Sequence, residues 1–171
     1  MRIYLTGFMG AGKTSVGGNL SHLLGYPLLD LDREIESRVG LAVREIFEKQ
    51  GESVFRELEH SCLKDTARFE DLVVATGGGT MTFQRNAAVI RRLGMSIWLN
   101  PSFETIVGRI SGRGKDDRPL FESERQALEL FRRRLPAYRQ CDLEIDVAPS
   151  ESVPEVAARI ALRLRERSCV I

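Results

Sequence analysis

Eight consecutive residues carry the strongest chemical signal in the sequence: Gly7-Phe8-Met9-Gly10-Ala11-Gly12-Lys13-Thr14. They fill every fixed position of GxxxxGK[ST], with a strand-like run before them and a helical pattern after. Glycines let a backbone fold closely around phosphate oxygens and aim its N–H groups inward. The positive amino-terminal end of the following helix adds to that attraction. Gly10, Ala11, Gly12, Lys13, Thr14 and Ser15 are therefore candidate nucleotide-binding residues. Lys13 can reach the β- and γ-phosphates, and Thr14 can offer its hydroxyl to Mg²⁺. The pattern indicates nucleotide binding and leaves open what becomes of the γ-phosphate.

Other reactive residue types recur further along. Asp30 and Asp32 flank Leu31 at the end of a short apolar run, and in an open α/β sheet that end borders the ligand crevice. One carboxylate could sit near a metal and the other near an acceptor hydroxyl. A helix cap followed by a first-turn acid is the competing reading. Phe55-Arg56-Glu57-Leu58-Glu59 reads as a helix start. An arginine in a first turn opposes the helix dipole, so Arg56 reads better as a carboxylate fork, with Glu59 on the same face to hold it. Gly77, Gly78 and Gly79 suit either a backbone that approaches a ligand or a plain flexible turn. Arg118 precedes Pro119 at the end of a charged, glycine-bearing stretch, Gly112–Asp117. That stretch reads as a solvated loop or as a lid carrying an arginine to a transferring phosphoryl group. Of the consecutive Arg132, Arg133 and Arg134, one functional member is the most to expect. His22 and His60, the only histidines, fall in helical patterns and read as structural or surface residues, so a histidine triad or metal cluster has little support.

These residues need a scaffold, and the patterning supplies one. Arg2–Thr6, Pro27–Asp30, Leu72–Thr76, Met95–Leu99 and Leu143–Val147 read as strands. Val73-Val74-Ala75 and Ile97-Trp98-Leu99 are apolar enough to be buried on both faces of a parallel sheet. Helical spacing marks Lys13–Leu24, Arg33–Gln50, Arg56–Phe69, Gln84–Leu93 and Ser152–Arg167, the last opening on a Ser152/Glu155 capping box. A Glu45–Lys49 surface pair is also expected. Strand–helix alternation gives an α/β fold with a parallel sheet covered on both sides. The 171 residues are expected to form a single domain, 1–171.

Bulk composition excludes several function classes. A formal net charge of +1 gives no global attraction for nucleic acid or a membrane surface, so anion binding must come from local clusters. Cys62, Cys141 and Cys169 are odd in number and unsuited to a disulfide framework, which fits a reducing cytoplasm. The amino terminus lacks the apolar run of a signal peptide, and no segment approaches the roughly 18 apolar residues of a membrane span.

In ordered combination these motifs resemble the shikimate kinase family. Leu5 through Thr14, Asp30-Leu31-Asp32, Phe55-Arg56-Glu57-Leu58-Glu59, Gly77-Gly78-Gly79, Arg118-Pro119-Leu120 and Arg134-Leu135-Pro136-Ala137-Tyr138 carry the resemblance across nearly the whole chain. It implies a P-loop three-layer αβα sandwich with a five-stranded parallel sheet in order 2-3-1-4-5, plus a lid loop. It also implies transfer of the ATP γ-phosphate to the 3-hydroxyl of shikimate by a monomeric, Mg²⁺-dependent enzyme. The resemblance places shikimate binding at about 32–60 and the lid at about 111–121. By it, Thr14 and Asp30 serve the metal. Asp32 binds substrate hydroxyls and is the candidate base. Arg56 and Arg134 hold the carboxylate, Gly77 to Gly79 contribute to the substrate site, and Lys13 and Arg118 attend the phosphates. Two features depart from the pattern. Arg109 and Arg113 compete for stacking on adenine, with Ser111 in the aligned position. Leu72–Thr76 ends in glycines rather than a Walker-B Asp, which favours Asp30 as the acidic partner of the metal. A gluconate-kinase-like enzyme shares the cradle but would not be expected to carry all these motifs together. A nucleotide-binding regulator would need no arginine pair.

Overall fold

The computed structural model of the chain describes residues 1–111 and 123–168. The expected lid, apart from its first position, lies outside the described residues, together with Arg113 and Arg118. Five strands, β1 (Arg2–Thr6), β2 (Leu28–Asp30), β3 (Leu72–Ala75), β4 (Met95–Pro101) and β5 (Leu143–Val147), form one sheet in the order β2-β3-β1-β4-β5. All four pairings are parallel.

Successive side chains of a strand point to opposite faces, and the apolar strands here use both. Ile3, Leu5, Val73, Ile97 and Leu99 pack beneath α1 (Lys13–Leu24) and α8 (Val153–Ser168), where Val16, Leu20, Ile160 and Leu164 meet them. Tyr4, Val74 and Trp98 face the opposite layer. That layer holds α2 (Leu31–Val39), α3 (Val43–Gln50), α4 (Glu52–Asp65), α5 (Gln84–Leu93), α6 (Phe103–Ser111) and α7 (Glu124–Tyr138). The result is the expected three-layer sandwich.

Three helical expectations are corrected. Arg33–Gln50 is two helices, because Gly40 adopts φ 70° and returns its N–H to the Glu36 carbonyl at 2.8 Å, a left-handed helix terminus. Glu45 then restarts the chain by accepting the Ala42 N–H at 3.0 Å, while also pairing with Lys49. The helix carrying Arg56 begins at Glu52, directly after Gly51. Arg56 is thus a turn inside the helix, and the dipole argument for its function falls away. Helices α6 and α7 fall where the sequence reading marked no helix. The Ser152/Glu155 box forms as expected, with the Ser152 N–H donating to Glu155 at 2.7 Å. Among the described residues no helix is long and apolar enough to cross a membrane.

Candidate active site

Three loops leave the carboxyl ends of neighbouring strands and meet: 7–12 after β1, 30–32 after β2 and 77–79 after β3. The first is a tight cradle. Gly12 takes φ 96° at the amino end of α1, so the helix points its unpaired N–H groups into the loop. Lys13 is buried and curls back, its ammonium donating to the carbonyls of Gly7 and Phe8 at 2.9 Å each. Thr14 and Ser15 lie exposed in the first turn.

Asp30 does two jobs at once. Its Oδ1 caps α2 by accepting the N–H groups of Asp32 (3.1 Å) and Arg33 (3.3 Å). Its Oδ2 accepts the Thr14 hydroxyl at 2.6 Å. The cap therefore holds the carboxylate beside Thr14. Asp32, two residues on, keeps some surface in the open crevice but is crowded by protein elsewhere. Burial pushes its pKa up to about 6, the negative charge of Asp30 adds to the rise, and Lys13 opposes it.

The triple-glycine turn has acidic side chains against its first glycine and basic ones against its third, with Glu59 and Arg56 paired behind it. A methyl group on Gly77 would lie 2.9 Å from Glu59 Oε1 and 3.2 Å from Asp32 Oδ1. One on Gly79 would lie 2.9 Å from Arg56 Nη2 and 3.2 Å from Arg134 Nη2. Carboxylates crowd the first glycine and guanidinium groups the third, and any side chain would fill the space between them.

The arginines are fixed from behind. Arg56 is buried and donates through Nε and Nη2 to Glu52 Oε1 (3.1 and 3.0 Å) and through Nη1 to Glu59 Oε2 (3.1 Å). Of its five N–H donors, these bonds use three and leave the Nη1/Nη2 end for a ligand. The rings of Phe55 and Phe83 lie 5.1 and 4.8 Å from its Cζ, favourable cation–π distances. Glu59 is wholly buried and also accepts from Thr80 (2.6 Å) and Asn86 (3.3 Å). Asn86 in turn bonds the His60 ring at 2.8 Å, so His60 has the structural place expected of it. Arg134 is buried over the Phe8 ring, 5.7 Å from its centroid.

Of the expected site residues, the cradle, Asp30, Asp32, Arg56, the three glycines and Arg134 converge. Arg118 lies outside the described residues. Arg109 donates to the Gly10 and Ala11 carbonyls at 3.3 Å each, which places that adenine candidate against the cradle. The sequence reading missed Glu52, Thr80 and Asn86. Glu52 had a usable signal, standing four residues before Arg56 on one helix face. Thr80 and Asn86 had none, because only folding brings them to Glu59.

A phosphate cradle beside a pocket with one acidic and one basic end, all on the carboxyl edge of a parallel sheet, defines a P-loop kinase acting on a small molecule. Deoxyadenosine kinase from M. mycoides shares that fold at TM-score 0.63 and 17% identity, over 97% of this chain and 99% of its own. More specifically, the shikimate kinase family model matches residues 9–165, and the chain belongs to that family. The shikimate kinase of Geobacter sulfurreducens is 42% identical over 167 residues, covering 96% of this chain and 91% of that one. That of Persephonella marina is 39% identical over 162 residues, covering 92% and 98%. The structure of shikimate kinase from Acinetobacter baumannii in complex with shikimate superposes with TM-score 0.91 at 34% identity, covering 97% of this chain and 93% of that one.

Proposed function

We propose that this chain transfers the γ-phosphate of ATP to the 3-hydroxyl of shikimate, with the carboxylate of shikimate lying between Arg56 and Arg134. The observation that carries the reading is the charge reversal across Gly77–Gly79: carboxylates at one end, paired guanidiniums at the other. A ring bearing hydroxyls on one side and a carboxylate on the opposite side matches that polarity. Bidentate arginine contacts are the natural grip for a carboxylate.

Phosphoryl transfer asks a protein mainly for positioning and charge stabilisation. Lys13 exchanges its two carbonyl acceptors for phosphate oxygens. Asp32, ionised above about pH 6, accepts a hydrogen bond from the acceptor hydroxyl and orients it for attack; with a loose transition state no strong base is required. The Thr14 hydroxyl and Asp30 carboxylate, 2.6 Å apart, are hard oxygen donors of the kind magnesium takes alongside phosphates and water. Bound there, the ion would neutralise charge on the phosphates. Arg118 is assigned to the phosphates by the family resemblance. One chain supplies both the nucleotide and acceptor sides, which supports a monomeric enzyme.

A coupled ADP-release assay over a panel of hydroxy acids tests the assignment. Turnover should require shikimate and vanish in Lys13→Ala. Preference for gluconate would transfer the chain to another metabolite kinase, and no turnover with any acceptor would favour a regulator.

A further inference from the structure

The middle carbonyl of the glycine turn in the acceptor pocket is held from behind by a tyrosine hydroxyl. Tyr138, the last residue of α7, is fully buried. Its ring lies against Trp98 of β4, with centroids 5.9 Å apart and planes 30° apart. Its hydroxyl donates to the Gly78 carbonyl at 2.5 Å. Arg134, one turn earlier on the same helical face, stands beside the same peptide, its Nη1 3.3 Å from the place a methyl group on Gly78 would take, and its charge opposes the rise in the phenol's pKa. The direction of the bond between Tyr138 and Gly78 is fixed by chemistry. A carbonyl only accepts and a guanidinium only donates. The one phenolic proton therefore goes to Gly78, which leaves only oxygen lone pairs to face the neighbouring Arg134.

Gly78 is tightly enclosed. A methyl group on it would lie 3.2 Å from the Met9 nitrogen of the cradle and 3.3 Å from Arg134 Nη1. Fixing its carbonyl also fixes the plane of the trans peptide to Gly79, and with it the direction of the Gly79 N–H. Gly79 is the glycine that the guanidinium groups of Arg56 and Arg134 both approach. Burial pushes the phenol up to about 12, so it keeps its proton across the working pH range.

We propose that Tyr138 is a positioning residue for the acceptor carboxylate, its hydroxyl setting the spacing between Arg134 and the Gly78–Gly79 peptide and so the width of the basic end of the pocket. The proposal rests on the reading of Arg56 and Arg134 as the carboxylate grip. Without the hydroxyl, the half-buried Gly78 carbonyl loses its donor and the buried Arg134 guanidinium loses a polar neighbour. Both would shift toward other partners, and the two-arginine grip would loosen. A tyrosine serving only as a core ring would show none of this, because its ring packs against Trp98 with or without the oxygen.

Tyr138→Phe removes that one oxygen and keeps the ring. Calorimetry on the full chain would compare shikimate, its methyl ester and ATP as ligands. The wild type should prefer the acid strongly over the neutral ester. The variant should bind shikimate about tenfold more weakly, with ester and ATP affinity unchanged. Equal weakening of all three ligands, or unchanged shikimate affinity, would overturn the positioning role. A wild type that binds acid and ester alike would instead overturn the carboxylate reading beneath it. The Arg134→Lys background provides a second arm. There Tyr138→Phe should cost little more, since the guanidinium beside its hydroxyl is already replaced; a full additive tenfold loss would show that the hydroxyl does not act through Arg134.

Discussion

Asp32 is held in a state that costs the fold, as expected of a carboxylate kept for the proposed acceptor site. Its folded pKa is raised from 3.8 to about 6 by burial and by Asp30, so the unfolded chain gives up this proton more easily. Above about pH 6 both states are ionised, and the native state bears the cost of a crowded carboxylate; below about pH 4 both are protonated and the cost disappears. Its size at neutral pH is of order 2–3 kcal/mol. Asp32→Asn should therefore raise the Tm at pH 7.5, with the gain fading by pH 4 in calorimetric scans. The same variant should lose most of its kcat, and wild-type kcat/KM should climb as pH rises through about 6. A variant with full kcat would reduce Asp32 to a scaffold residue. Arg56 makes a complementary prediction. Its guanidinium serves Glu52 and Glu59 and still has one end left over. An ammonium has three donors on one atom and cannot serve three partners in that planar arrangement. Arg56→Lys should weaken shikimate binding by at least about tenfold and leave ATP binding unchanged, as calorimetry with each ligand would show. Equal losses would move Arg56 to the nucleotide side.

Helix α1 carries the cradle on its amino end, and two adjacent glycines in its middle should respond oppositely to change. A methyl group on Gly18 meets nothing within 4 Å, whereas one on Gly17 would lie 3.1 Å from a Leu28 methyl and 3.3 Å from one of Leu5. Alanine gains up to about 1 kcal/mol over glycine in a helix interior. Crowding a packed core costs about 1–3 kcal/mol. Gly18→Ala should raise the Tm by a few degrees and Gly17→Ala should lower it, with ATP affinity preserved in the first. Matching shifts in thermal melts would mean that packing beneath α1 is looser than it looks. Much at this scale was legible in advance. Strands β1 and β5 have the expected limits, and α1 runs from Lys13 to Leu24 as its spacing indicates. Such elements follow from local periodicity. The break at Gly40 was harder to see, because Ile35, Val39, Val43, Ile46 and Phe47 keep helical spacing across it. Both helices pack on the same layer, so the pattern continues while the backbone turns. The true start of α4 at Glu52 was hidden for a similar reason. Gly51 begins it, and no capping side chain marks the position.

For the whole molecule, a net charge of +1 leaves recognition to the local polarity of the pocket. Ligand binding should register as stability: shikimate at about 100 times its Kd would add roughly 2.7 kcal/mol, a Tm shift of several degrees for a chain of this size. Thermal shift assays of Arg56→Lys at the same concentration should lose about half of that shift or more, and an undiminished shift would remove Arg56 from the acceptor site. The sequence by itself determined the phosphate cradle, the strands and the α/β class, because each depends on contiguous residues whose backbone preferences and apolar periods are local. It also named Asp30, Asp32, Arg56 and Arg134, to which only the family resemblance gave a shared site. Tertiary structure decided their arrangement. Parallel pairing of β1, β2 and β3 brings three loops to one edge of the sheet, and packing of α4, α5 and α7 over that edge delivers Arg56, Asn86 and Arg134 from distant parts of the chain. The opposed charges across Gly77–Gly79, the triple hold on Glu59 and the Tyr138 bond to Gly78 are long-range contacts. No local propensity encodes them; they exist because burying both faces of the sheet leaves these polar side chains only one another to bond.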